Sequence, residues 1–266
     1  MKLIFEELIN IAKQNVRQIN TLLQRLFQRV PKIYSGPGEG LYFDTGYSTK
    51  LFLSGEYERP VQDVIKSLVK PGDVCYDIGA NFGFFSLLFS RLAGTTGIVY
   101  AFEPVPANAS IIARNAYLNR LNNIKILKIA CSCEAGRSEL LLAHHVGGAV
   151  LKSVGVPPDL AGSLMVETST VDALVTSQQI KPPTIVKIDV EGAEMDVLQG
   201  MEGVLRKWIP AVIIEVDDST LIGCEKKLSL CQRFLHELHY QTELLPDAYT
   251  DCKWFVRHFL AQRKTI

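Results

Sequence analysis

From residue 73 onward, short apolar runs alternate with longer stretches of helical period, and this alternation constrains the fold more than any other property of the chain. Strand-like runs fall at 73–78, 97–102, 124–130, 184–189 and 211–216, and helix-like stretches at 82–93, 106–119, 194–206 and 225–239. A strand that returns to its sheet in parallel needs a crossover of a dozen or more residues, which is usually a helix lying on a sheet face. The expected fold is therefore α/β, a doubly wound and mostly parallel sheet with helices on both faces. Tyr240–Leu245 and Lys253–Phe259 read as a final hairpin. Residues 132–172, marked by Gly147-Gly148 and Val156-Pro157-Pro158, have no clear period and form a long excursion of the kind that usually carries function.

The N-terminal part differs. Ile4, Leu8, Ile11, Ile19, Leu22, Leu26 and Val30 predict an amphipathic helix over residues 3–30, with Lys13, Arg17, Arg25 and Arg29 on its other face. Such a stripe usually packs on its own domain; the basic face leaves peripheral membrane contact, or pairing with a second copy, open. Pro31 ends the helix, Ser35–Gly40 is a turn-rich connector, and Leu41–Phe43 and Lys50–Leu53 read as short strands. A helix over 60–70 follows, stopped by Pro71-Gly72. Residues 1–55 are thus expected to be a helical extension and connector, and 56–266 the main domain.

Charge and cysteine usage narrow the function. With 28 basic and 28 acidic side chains the net charge is zero, so no global field draws in nucleic acid, and none is assigned as a partner. No stretch reaches the roughly 18–20 uncharged apolar residues that cross a bilayer. Glu6 and Glu7 break the only signal-like start, so no export is read. The six cysteines are scattered through a chain large enough to need no staples, which suits reduced thiols and a cytoplasmic setting.

Chemistry concentrates at two strand ends. Asp77-Ile-Gly79-Ala80-Asn81-Phe-Gly83 turns from a strand into a helix; glycines there let backbone approach a ligand, and the helix start offers unpaired N–H groups to an anion. Asn81 stands where a dinucleotide fingerprint has its second glycine, which argues against hydride chemistry. The next strand ends at Glu103, 20 residues after Gly83, where a carboxylate can accept both hydroxyls of a ribose; capping of the helix from residue 106 is the alternative.

These motifs, with Phe102-Glu103-Pro-Val-Pro106 and Lys187-Ile-Asp189-Val-Glu191-Gly192-Ala-Glu194, resemble the FkbM-type S-adenosylmethionine-dependent methyltransferases over about residues 55–216. The resemblance implies a seven-stranded methyltransferase sheet and methylation of a hydroxyl on a small molecule or glycan. It also implies that Asp77, Gly79, Ala80, Asn81 and Gly83 line the methionine end of the cofactor, that Glu103 holds its ribose, and that Ser132 and Asp189 complete the cofactor site. Ala130-Cys131-Ser132-Cys133-Glu134-Ala-Gly136 is similar to a family turn in which Cys133 replaces an acid, and Asp172 lies in a stretch similar to a family Leu-Asp-x-Leu segment, with Val171 in place of the first leucine.

Methyl transfer to an alcohol requires alignment of the acceptor oxygen and removal of its proton by a nearby base. Asp189, at a strand's carboxyl end, is the first choice of base, with Glu191 as second catalytic candidate. Three carboxylates within six residues, Asp189, Glu191 and Glu194, must share protons, find cations or point apart; Lys187, on the strand face of Asp189, can neutralise one. A magnesium ion would suit such oxygens, but acids in a first helical turn need none, and no metal is assigned. Glu215 either reaches the same cleft or is a solvated strand end, His144 and His145 either serve the site or face solvent, and Asp172 read without the resemblance is a helix cap. Phe82, Phe84, Phe85 and Phe89 are expected in the core. The rivals to an O-methyltransferase are a binding or scaffold module that keeps the fold without catalysis, and an α/β oxidoreductase.

Overall fold

The computed structural model describes residues 30–44, 50–143, 148–152, 155–157, 159–249 and 254–263. The expected N-terminal helix, His144 and His145 lie outside them, and a compact unit begins at Lys32. In chain order its first half contains α1 (Lys50–Ser54), α2 (Arg59–Leu68), β1 (Val74–Ile78), α3 (Phe84–Ala93), β2 (Ile98–Phe102), α4 (Pro106–Leu118), β3 (Ile124–Leu127), β4 (Ile129–Cys131), β5 (Gly136–Ala143) and β6 (Ala149–Leu151). There follow β7 (Leu160–Ser169), α5 (Val171–Thr176), β8 (Ile185–Ile188), α6 (Glu194–Gly200), α7 (Glu202–Trp208), β9 (Ala211–Asp218), α8 (Leu221–Glu237), β10 (Gln241–Leu244) and β11 (Phe255–Gln262).

The main sheet has seven strands in the order β10-β11-β9-β8-β1-β2-β3. Neighbours from β9 through β3 pair in parallel, and β11 is antiparallel to both β9 and β10. After β1 the chain builds outward through β2 and β3, then returns to lay β8 on the other side of β1. The carboxyl ends of β1 and β8 thus flank the point where winding reverses, the place where open α/β sheets bind ligands.

Both faces of the sheet are covered, as continuous apolar strands require. On one face Cys75, Val99, Ile185 and Ile213 pack with Val61 and Ile65 of α2 and with Phe85 and Phe89 of α3. On the other, Tyr76, Val186, Ile188, Val212 and Ile214 pack with α5, α6, α7 and α8 through Leu174, Val197, Leu205 and Leu228. Each such fully buried side chain contributes about 1.5–3 kcal/mol. Phe82, Phe84, Phe85 and Phe89 are all buried, as the sequence predicts. The connector expected to end at residue 55 supplies core as well: Ile33, Leu41 and Phe43 are buried in the α3 cluster, and the Phe43 and Phe84 rings lie 5.5 Å apart.

Four local expectations are revised. Lys50–Leu53, read as a strand, belongs to helix α1, which turns Phe52 onto the rings of Phe43 and Tyr57, 5.1 and 4.3 Å away. The run at 124–130 is cut at Lys128: β3 stays in the main sheet and β4 leaves it. The helix expected over 194–206 breaks at Met201 into α6 and α7. Helix α8 begins at Leu221, before residue 225, because Thr220 Oγ1 caps it by accepting from Gly223 N–H at 3.0 Å. The unclear excursion contains most of a second, four-stranded sheet, β4-β7-β5-β6, in which β7 is parallel to β4 and antiparallel to β5.

Candidate active site

At the end of β1 the chain makes a tight turn whose shape is fixed by backbone contacts. Gly79 and Ala80 N–H both donate to Phe102 O, at 3.1 and 3.0 Å, and Asp189 N–H donates to Ile78 O at 3.0 Å. Gly79 has φ +83°, and a Cβ there would lie 1.7 Å from the carbonyl oxygen of Asp189. Only glycine allows the β8 end to approach β1 this closely. Gly83, also left-handed, starts α3.

An open cleft of about 310 Å³ lies over this turn, with Asp77, Gly79, Ala80, Asn81, Lys187 and Asp189 on its walls, and Phe52, Tyr57, Phe84 and Phe85 closing its aromatic side. Asn81 adopts φ +49°, the conformation a glycine would take, and its Oδ1 is buried with no hydrogen-bond partner among the described residues. Its N–H donates to Glu103 Oε2 at 2.8 Å, while Val105 N–H donates to Glu103 Oε1 at 2.9 Å. Glu103 therefore braces both the glycine turn and the start of α4. Burial pushes its carboxyl up to about 7 against those two N–H donors. Burial likewise raises Asp77 to about 6 although Lys187 and the Ser86 hydroxyl favour its anion.

Gly83, Glu103, Ser132 and Glu191 lie off the walls of this cleft. Ser132 follows β4, its N–H donating to Ser169 O at 3.0 Å. Of the crowded acids, Asp189 binds Lys187 and Glu194 turns back to accept from Gly192 N–H at 2.8 Å, so these two point apart. Glu191 sits at φ +54° in the turn after β8, where burial and then Asp189 and Asp217 push its carboxyl well up. Asp172 is a cap: its two oxygens accept from Gly203 and Val204 N–H, both at 2.8 Å, at the start of α7. Glu215 is not a solvated strand end, because its Oε2 meets His258 Nε2 at 2.6 Å.

Sequence reasoning missed Glu58, Tyr249 and His258. Glu58 is buried at the left-handed residue that precedes α2, and one of its oxygens accepts from the Tyr249 hydroxyl at 3.1 Å. Its other oxygen, Oε2, lies 3.2 Å from His258 Nε2 and 3.8 Å from Lys187 Nζ. Lys187 Nζ in turn meets Asp189 Oδ2 at 2.7 Å and lies 4.4 Å from the centre of the Phe85 ring. Burial works against Lys187 and His258 as cations, yet the carboxylates around them raise both, His258 to about 10. Burial alone would raise Glu58, but Lys187 and His258 hold it well down; Glu215 is pushed up by burial and by Asp189 and Glu58. Donor atoms of Glu58, Glu215 and His258 lie within 4.8 Å of one another, as a metal site would need, but the ammonium of Lys187 already neutralises the shared Glu58 oxygen.

The five described cysteines Cys75, Cys131, Cys133, Cys224 and Cys231 form no disulfide, and no described helix is long and apolar enough to cross a membrane.

The fold is shared with a ribosomal protein L11 methylase from Lactobacillus delbrueckii subsp. bulgaricus, at TM-score 0.51 and 14% identity, covering 86% of this chain and 87% of that one. In sequence, the hexuronic acid methyltransferase AglP of Haloferax volcanii is 31% identical over 181 residues, 64% of this chain and 71% of AglP. The 31-O-demethyl-FK506 methyltransferase FkbM of Streptomyces tacrolimicus is 29% identical over 177 residues, 56% of this chain and 67% of its own length. The methyltransferase FkbM domain family matches residues 77–241, which run from the acid before the glycine turn to the start of β10. With its sheet, glycine turn and acidic strand ends in place, the chain belongs to the FkbM methyltransferase family, whose methyl donor is S-adenosylmethionine.

Proposed function

We propose that this methyltransferase modifies a hydroxyl group of a small molecule or glycan, with Asp189 as the base that accepts the hydroxyl proton. The observation that carries this reading is the carboxylate of Asp189 on the cleft wall at the winding reversal, across from the glycine turn and held at 2.7 Å by Lys187. The residues present suit the methyl donor. The buried, unpartnered Oδ1 of Asn81 is an acceptor waiting for a donor such as an α-ammonium group. Asp77, Gly79, Ala80, Asn81 and Gly83 would hold the methionine end, Glu103 the ribose hydroxyls, and Ser132, beside the second sheet, the more distant adenine side.

When bound, S-adenosylmethionine would supply an electrophilic methyl group for the acceptor oxygen. The chain's own part is to exclude water with Phe52, Tyr57, Phe84 and Phe85, to orient the acceptor oxygen, and to take its proton at Asp189. Asp189 keeps a side-chain exposure of 20%, enough to pass the proton on to solvent. Glu191, after the same strand, would be a secondary proton carrier. Residues 56–266 would form the catalytic domain. The acceptors named for AglP and FkbM, a hexuronic acid and 31-O-demethyl-FK506, support an oxygen acceptor.

The test is transfer of radiolabelled methyl from S-adenosylmethionine to a panel of hexuronic acids, simple glycosides and macrocyclic alcohols. Asp189→Asn is expected to lose about a hundredfold or more in turnover, the scale of a removed general base, while S-adenosylhomocysteine still binds within about threefold. An unchanged rate in Asp189→Asn, or label found on nitrogen or carbon alone, refutes the proposal.

A further inference from the structure

Glu58 and His258 both lie outside the residues that the family match covers, yet both are buried, and they connect to the cleft through Lys187 on its wall. They belong to an unbroken chain of alternating charge, Asp189–Lys187–Glu58–His258–Glu215, with successive contacts of 2.7, 3.8, 3.2 and 2.6 Å. The three inner side chains are 0–1% exposed, whereas the two ends, Asp189 and Glu215, are 20% and 14% exposed. Burying three charges is costly unless each has a partner, and Glu58 supplies one to both cations at once.

Strand register explains the arrangement. Asp189 directly follows β8, two residues after Lys187 and so on the same face. Glu215 of β9 is the cross-strand partner of His258 in β11, and Ile188 pairs with Ile214, so one step further along the ladder sets Asp189 beside Glu215. Adjacent strands lie about 4.8 Å apart, which places the two carboxylates as neighbours. Each has one oxygen engaged, Asp189 Oδ2 by Lys187 and Glu215 Oε2 by His258, while Oδ1 and Oε1 make no hydrogen bond among the described residues.

We propose that Glu58 and His258 are positioning residues which hold Asp189 and Glu215 as a pair toward one acceptor carrying two adjacent hydroxyl groups. The hydroxyl whose oxygen gains the methyl group gives its proton to Asp189 Oδ1, and its neighbour donates a hydrogen bond to Glu215 Oε1. This rests on the hydroxyl-methylation reading above and adds to it the second hydroxyl and the support from outside the family match.

The test is saturation-transfer NMR on the full chain loaded with S-adenosylhomocysteine, with D-glucuronate, which carries adjacent hydroxyls, as the probe and cyclohexanol as the single-hydroxyl comparison. Glu215→Gln and His258→Gln are expected to weaken D-glucuronate binding about tenfold, with S-adenosylhomocysteine affinity within about twofold, since each loses a charge-assisted contact. Tyr249→Phe removes only the hydroxyl on Glu58 and is expected to weaken the probe about threefold without disturbing the fold, which guards against unfolding of the charge variants. On whichever acceptor is methylated, His258→Gln should lower kcat with the KM for S-adenosylmethionine unchanged. Equal probe binding in wild type and all three variants overturns the proposal, as does a wild type that binds cyclohexanol as well as D-glucuronate or binds neither. Probe binding abolished by chelator and restored by zinc or manganese also overturns it, since His258 would then be a metal ligand. Methyl incorporation into the acceptor panel, run in parallel, separates a failure of this pairing from a failure of the hydroxyl reading.

Discussion

Replacing Glu103 with Gln separates the two duties that the structure gives this side chain. The carboxyl is 5% exposed and accepts from the N–H groups of Asn81 and Val105. Burial raises it from 4.5 to about 7 despite those donors. The unfolded chain releases this proton near 4.5 and the folded chain near 7, so between those values the folded state holds the extra proton and stability falls as pH rises. What the protonated form lends is complete below about 4.5 and gone above about 7. At 1.36 kcal/mol per unit, the part of this loss that falls between pH 5 and pH 8 is about 2–3 kcal/mol. Glu103→Gln has no proton to release, so wild type should lose about 2–3 kcal/mol more than the variant over that range, a difference of about 4–12 °C in Tm. Asp77 and Glu194, also raised by burial, are common to both proteins and cancel in the comparison. Calorimetry of both proteins at the two pH values checks this. At pH 8, S-adenosylhomocysteine at about a hundred times its Kd should stabilise wild type by about 2.7 kcal/mol. The variant should bind it about 10–100-fold more weakly, because a charged acceptor of the ribose hydroxyls is gone. Parallel pH dependences would refute the burial argument, and an unchanged response to S-adenosylhomocysteine would refute the ribose assignment.

Two further substitutions separate binding from stability. Asn81→Gly relieves a non-glycine residue of φ +49° and removes a buried acceptor with no partner, so chemical unfolding of the ligand-free protein should stay within about 1 kcal/mol of wild type. Calorimetric titration should nevertheless find S-adenosylhomocysteine bound about tenfold more weakly. Asp172→Ala leaves Gly203 and Val204 N–H without an acceptor and should cost about 1–2 kcal/mol in urea unfolding, with S-adenosylhomocysteine affinity unchanged because the cap lies on α7.

The sequence was informative where position along the chain and position in the site coincide. Asp77, Gly79 and Asn81 lie at the end of β1, Glu103 directly follows β2 and Asp189 directly follows β8, and in a parallel sheet strand ends converge, so an apolar run followed by glycine or acid locates them. Glu58 and His258 are 200 residues apart and 3.2 Å from each other, and nothing local announces that meeting. His258 sits in a run that reads simply as a strand, between Arg257 and Phe259, and Glu58 precedes a predicted helix as any polar residue could. The available signal was a histidine that alternation places on the same strand face as Val256 and Leu260. The second sheet was hidden because β7 is largely exposed and its apolar residues are interrupted by Gly162-Ser163 and stop before Glu167, so it lacks the continuous apolar run of a buried strand. Helix α1 was hidden because apolar residues in a five-residue segment fit either period.

The insertion of β11 between β9 and β10 gives the site an order of assembly. When a ribosome has released residue 241, the whole segment matched by the family is available, yet the β9 edge of the sheet is still bare. β10 does not cover that edge, since among the described residues it pairs with β11 alone. At about 5–20 residues per second, the nascent protein exposes Ile213, Ile214 and Val216 along an open edge for one to several seconds until Phe255–Gln262 arrives. Until then Lys187 and Glu58 face each other without the histidine that completes their partnership. Slow codons or a truncation ahead of β11 would prolong the state most able to recruit a stray strand, and a chaperone would find the chain there.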